Sequence, residues 1–90
     1  MEYVRLNITG RVQGVFFRVS CKRKAIELGI TGFVKNMEDD TVQVLAKGTP
    51  NNLKEFIFWC KIGNEMSNVE KVTIEKVELD RNYMDFDIIS

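Results

Sequence analysis

The chain contains no histidine, only two cysteines and a single proline, and its thirteen basic residues are balanced by thirteen acidic ones. Without histidine, no imidazole can serve as general base or metal ligand. Two cysteines are too few for an iron–sulfur cluster held by cysteine alone or for a four-ligand zinc site. Neither a metal nor any other cofactor is therefore expected. Zero net charge argues against a dedicated nucleic-acid binder, whose footprint would be a basic domain. No run approaches the roughly 18 apolar residues of a membrane helix, and Met1-Glu2-Tyr3-Val4-Arg5 lacks the apolar core of a signal peptide. A cytoplasmic protein without a membrane partner is expected.

What remains is an ordinary globular composition, 44% hydrophobic and 29% charged. Ninety residues suit one domain over 1–90, which buries about 60–65% of its unfolded surface and so needs an efficient core. No linker, repeat or low-complexity stretch interrupts it. Cys21 and Cys60 each fall on the apolar stripe of an expected helix, where a reduced thiol behaves as a small hydrophobe.

Val4, Leu6 and Ile8 alternate with Arg5, Asn7 and Thr9, which predicts a strand over 2–10 with one buried face. Phe17, Cys21, Ala25 and Leu28 then recur at helical spacing, and Gly29 stands where a helix ends. Two β-rich runs, 30–35 and 41–46, flank a hairpin loop at 36–40. Thr49 and Pro50 read as N-cap and first residue of a second helix, whose stripe is Leu53, Phe56, Ile57 and Cys60 and whose end is Gly63. Val69, Val72, Ile74, Val77 and Leu79 mark a long extended segment with a bulge or bend expected between Ile74 and Val77. Phe86 and Ile88 close the chain as a short strand. With both helix stripes on one face of a mostly antiparallel sheet, this order gives an α+β fold, the ferredoxin-like split βαβ sandwich.

That fold hosts many functions, so the chemistry must come from a site. No aromatic RNA-binding motif occupies the central strands, and Gln13-Gly14-Val15-Phe16 offers no metal ligands where a metal carrier would need them. The same segment, with Phe17 and Arg18, joins a strand to a helix through a glycine-bearing turn. Backbone N–H groups of such a turn converge with the unpaired donors of the helix start, and Arg18 adds a planar cation. A phosphate would fit there. Arginine at a helix start opposes the macrodipole, which points to a functional reason for Arg18.

The run Gly10-Arg11-Val12-Gln13-Gly14-Val15-Phe16-Phe17-Arg18 resembles the signature of the acylphosphatases, and Leu28-Gly29-Ile30-Thr31-Gly32-Phe33-Val34-Lys35-Asn36 resembles that family's second motif, with the order and spacing preserved. The resemblance implies hydrolysis of the carboxyl–phosphate bond of acyl phosphates without metal. It assigns phosphate binding to Arg18 and to the loop Gln13, Gly14, Val15, Phe16 and Phe17, and orientation of the attacking water to Asn36. The expected partners are a small-molecule acyl phosphate and inorganic phosphate as product or inhibitor, with the protein a monomer. Phe16 and Phe17 are expected to brace the cradle, and Arg11 to be a surface charge.

Two segments depart from the family pattern. The hairpin reads Glu38-Asp39-Asp40-Thr41 where Asp-Gly-Thr or Asp-Gly-Arg is common, and Gly63–Val69 lacks the usual Gly-Pro. Stability and oligomer contacts are expected to feel these changes more than chemistry. The alternative function is a non-catalytic anion-binding module, like the related domain of carbamoyl-phosphate-handling maturation enzymes. The length of the chain favours the free-standing enzyme.

Overall fold

The computed structural model describes residues 1–89. Seven elements follow one another: β1 (Glu2–Arg11), α1 (Phe17–Glu27), β2 (Thr31–Asn36), β3 (Val42–Gly48), α2 (Pro50–Ile62), β4 (Asn68–Val77) and β5 (Phe86–Ile89). They build a five-stranded sheet of order β4-β1-β3-β2-β5, antiparallel except where β5 runs parallel to β2. This is the expected α+β, ferredoxin-like sandwich.

Strict alternation makes the sheet two-faced. Val4, Leu6 and Ile8 lie opposite Ala46, Val44 and Val42, and Val34 lies opposite Val44, all of them buried. The helices supply the other half of the core through Phe17, Cys21 and Ala25 of α1 and Leu53, Phe56 and Cys60 of α2. Phe17 packs on Trp59 at 5.5 Å between ring centres, and Phe56 meets Phe86 edge-on at 6.0 Å. Those rings clamp α2 to α1 on one side and to the final strand on the other. Both thiols are free and fully buried, and burial, then the neighbouring Cys60, pushes the Cys21 thiol well above its ordinary range. Neither is a ready nucleophile.

Helix boundaries follow local chemistry. The Gly29 N–H donates to the Ile26 carbonyl and the Ile30 N–H to the Ala25 carbonyl, the paired bonds of a Schellman stop. Thr49 Oγ1 accepts from the Asn52 N–H at 3.3 Å, with Pro50 at the first position of α2.

The bend expected between Ile74 and Val77 is not there. Ile74 lies opposite Leu6 and Val77 opposite Tyr3, so the two simply face opposite sides of a regular strand. The irregularity falls at Glu70, left unpaired between Lys71 opposite Thr9 and Val69 opposite Gly10. Gly10 permits it, because a Cβ there, at φ 121°, would stand 2.1 Å from the Asn68 carbonyl oxygen. The odd spacing of Val69 and Val72 is the trace of this bulge in the sequence.

On the face without helices, the connection from β4 to β5 crosses the sheet. Tyr3 Oη donates to the Arg81 carbonyl at 2.7 Å, and the Tyr83 ring stacks edge-on against Phe33. Leu45, between Arg5 and Phe33 in register, is buried on this side.

At the β2–β3 hairpin, Asp39 accepts from Thr41 Oγ1 at 2.6 Å and from the Thr41 N–H at 3.2 Å, which lowers its carboxyl pKa in that order of importance. Asp40 takes the left-handed conformation, φ 70°, at the position where the family pattern commonly has glycine. Asp40→Gly should relieve that strain by more than it adds to unfolded-chain entropy. The expected gain is about 0.5–1 kcal/mol, or a rise in Tm of about 2–8 °C. A fall in Tm in thermal unfolding would contradict it.

Candidate active site

The segment joining β1 to α1 is fixed by what it buries. Val12, Val15 and Phe17 are each at most 3% exposed, so three side chains point inward within six residues. The backbone between them can satisfy this only by turning sharply, with Gly14 at φ 74° and Phe16 at φ 60°. Phe16 therefore has its ring in solvent, 69% exposed, and does not brace the loop as expected; Phe17 does. A left-handed phenylalanine costs on the order of 1–3 kcal/mol, a strain that surrounding packing must hold in place.

This geometry leaves donors free. Phe16 is the N-cap of α1 and provides no side-chain cap. The first bond of the helix runs from the Ser20 N–H to the Phe16 carbonyl, and among the described residues the N–H groups of Val15, Phe16, Phe17, Arg18 and Val19 find no acceptor. Alternating left- and right-handed residues at a helix N-terminus make a concave array of donors suited to an anion. Arg18, the second residue of α1, is half-buried, and among the described residues its guanidinium has neither hydrogen bond nor ion pair.

Asn36 ends β2 on the same side of the sheet as Val34, opposite Val42, which in turn lies opposite Ile8. It thus occupies the end of the sheet from which β1 leads into the loop. Its Oδ1 is buried without any hydrogen-bond partner. An orphaned buried acceptor costs about 1–3 kcal/mol, and the partner it lacks is a donor that the chain does not provide. Asn36 and Arg18 stand on separate elements, the end of β2 and the first turn of α1, with no hydrogen bond between them among the described residues.

Two side chains hold these parts together. Gln13 Nε2 donates to the carbonyls of Met37 and Thr41, both at 2.8 Å, which ties the loop to the hairpin beside Asn36. Asn64 Nδ2 donates to the Val15 carbonyl and to Ser20 Oγ, both at 3.0 Å, while its Oδ1 accepts from the N–H groups of Met66 and Ser67. The sequence places Gln13 in the loop for its backbone and gives Asn64 no role at all. The only available signal for Asn64 is its position directly after the helix-ending Gly63, in the segment where the chain departs from the family pattern. That departure therefore bears on the cradle itself.

A surface groove between α2 and β4 includes neither Arg18 nor Asn36. A cradle of backbone donors needs little depth to hold a group as small as a phosphate. Among the described residues no three of histidine, cysteine, aspartate and glutamate gather as metal ligands, and no helix is long and apolar enough to cross a membrane.

A split βαβ sandwich whose first strand-to-helix turn presents free N–H groups and an arginine belongs to the class of small anion-handling α+β domains. The acylphosphatase family model matches residues 4–88. An acylphosphatase of Shewanella amazonensis is 41% identical over 88 residues, covering 98% of this chain and 97% of its own, and one of Caldanaerobacter subterraneus is 42% identical over 85 residues, covering 94% of each. The crystal structure of acylphosphatase from Bacillus subtilis superposes over the whole of both chains with a TM-score of 0.95 at 32% identity. Full-length HypF, solved in a phosphate- and nucleotide-bound form, matches 99% of this chain with 12% of its own, at TM-score 0.90 and 27% identity. The chain belongs to the acylphosphatase family.

The brace can be tested apart from the chemistry. Asn64→Ala removes both donor bonds and the two turn bonds, so stability should fall by about 1–3 kcal/mol in denaturant unfolding. Inhibition by inorganic phosphate should weaken several-fold as the Val15 peptide loosens. Unchanged phosphate inhibition would show that Asn64 serves only its own turn.

Proposed function

We propose that residues 1–90 form one acylphosphatase-like domain that hydrolyses acyl phosphates to a carboxylate and inorganic phosphate, with no metal ion in the step. The observation that carries this reading is the set of unpaired donors, the N–H groups of residues 15–19 and the Arg18 guanidinium, bordered by the unpartnered Oδ1 of Asn36.

The phosphoryl group sits in the cradle with its equatorial oxygens on the backbone N–H groups and on Arg18. Charge that develops on those oxygens meets donors already aimed, and the loss of one such donor commonly costs about 2.7–4 kcal/mol. Asn36 Oδ1 accepts a hydrogen bond from a water and holds it in line with the leaving carboxylate. The water oxygen bonds to phosphorus, the bond from phosphorus to the acyl oxygen breaks, and its electron pair leaves on the carboxylate. With no histidine in the chain, a phosphoryl oxygen of the substrate takes the water's proton, which the good carboxylate leaving group allows.

One protomer supplies all of these groups, so the chemistry asks for no second chain. Inorganic phosphate, as product, occupies the same donors and inhibits. The groups named here address the phosphoryl end of the substrate, so the reading covers acyl phosphates as a class.

Hydrolysis of benzoyl phosphate in the presence of chelator tests the division of roles. Arg18→Ala should lower kcat/KM by at least about 10³-fold and abolish phosphate inhibition, whereas Asn36→Ala should lower kcat by about 10²–10³-fold and leave phosphate inhibition within a few-fold. Equal loss of inhibition in both would overturn the roles. Phosphate binding without any hydrolysis by the unaltered protein would move the conclusion to a non-catalytic anion-binding module.

A further inference from the structure

β4 forms one edge of the sheet, bonded to β1 on one side and, among the described residues, to no strand on the other. Its ten residues contain no proline, and β5 at the opposite edge is only four residues long. A long open edge is a template for another strand, and proteins usually blunt it. Here the bulge at Glu70 limits the regular stretch to Lys71–Val77, which stays open.

The sequence of that edge is mirrored in charge. Read outward from Thr73, the run Val69-Glu70-Lys71-Val72-Thr73-Ile74-Glu75-Lys76-Val77 gives aliphatic, base, acid, valine towards the N-terminus and aliphatic, acid, base, valine towards the C-terminus. An antiparallel pair of identical strands with its two-fold at Thr73 sets Val72 against Ile74 and Lys71 against Glu75, each twice, with Glu70 left outside the ladder by its bulge. Lys71 thus meets a carboxylate across the axis, that of Glu75, which Arg5 of its own chain also bonds at 2.8 Å. Moving the axis one residue either way destroys this: centred on Val72, Lys71 faces Thr73; centred on Ile74, Glu75 faces Thr73 and Val72 faces Lys76. Opposite charges directly across a ladder stabilise it and like charges do not.

The neighbouring surface fits the same occupant. Ile74, 48% exposed, lies on the helix-bearing face, where the groove between β4 and α2 is lined by Ile57, Phe58, Ile62 and Lys76. Phe58 and Ile62 are 66% and 59% exposed. Pairing two β4 strands about Thr73 brings both grooves together on one face of a continuous ten-stranded sheet, so these apolar groups of one copy meet those of the other.

We propose that β4 pairs with the β4 of a second copy of this chain, antiparallel and centred on Thr73, to form a two-fold dimer. The sequence leads to the expectation of a monomer, from which this proposal departs, and it stands apart from the reading of the cradle, to which Thr73 and Lys71 contribute nothing. The interface is small, so association is concentration-dependent.

Sedimentation of the unaltered protein over a range of concentrations should show a reversible monomer–dimer equilibrium. Thr73→Cys places one thiol on the axis, where antiparallel Cα separations of about 4.5–5.5 Å suit a disulfide. Mild oxidation should cross-link it far faster than Lys71→Cys, whose thiols lie several residues apart across the axis; Cys21 and Cys60 are buried and do not compete. Lys71→Glu and Glu75→Lys should each be monomeric alone and form a heterodimer when mixed, because Glu at 71 then faces Lys at 75. Monomer at every concentration, cross-linking of Thr73→Cys no faster than the control, or no heterodimer on mixing would each overturn the proposal.

Discussion

The chain has one constraint on which the rest depends: three apolar side chains, Val12, Val15 and Phe17, must enter the core from a connection of a few residues. Burial of each is worth roughly 1.5–3 kcal/mol, enough together to hold Phe16 in a left-handed conformation and to leave a set of backbone donors unpaired. The proposed anion site is thus a by-product of packing in the literal sense. Its N–H groups are aimed because the side chains between them are not free to move.

The sheet completes what packing begins. Register alone puts Asn36 at the end of β2 beside the row of Val42 and Ile8, and Gln13 and Asn64 then tie the loop to the hairpin and to the end of α2. Because the site draws on neutral peptide groups and a single guanidinium, it needs no excess of positive charge, which agrees with a chain whose charges cancel. Balanced charge elsewhere is then available for other ends, as along β4.

Much of this was legible in the sequence, for identifiable reasons. Alternation in Val4, Leu6 and Ile8 and the stripes Phe17-Cys21-Ala25 and Leu53-Phe56-Cys60 state which face is buried, and burial is what fixes strand and helix. Arg18 and Asn36, the residues proposed for the site, are marked in the sequence by their motifs. Missed were features that depend on contacts distant in sequence. Asn64 meets Val15 across 49 positions, and nothing local marks it. The bulge was assigned to Ile74 and Val77 because parity was judged along one strand, whereas the second face gains cover from Tyr3 and the crossing connection. Phe16 was grouped with Phe17 by composition, but one turn of backbone sends the adjacent rings to opposite environments.

The central claim is that the turn from β1 into α1 is an anion site formed in advance of its ligand. Titration of the isotopically labelled protein with inorganic phosphate, followed amide by amide in NMR, tests it most directly. Shifts concentrated at residues 15–19, with the Arg18 guanidinium and little movement elsewhere in the sheet, are the expected result. Shifts centred on the groove between α2 and β4, or spread over the whole chain as in a folding transition, would contradict it.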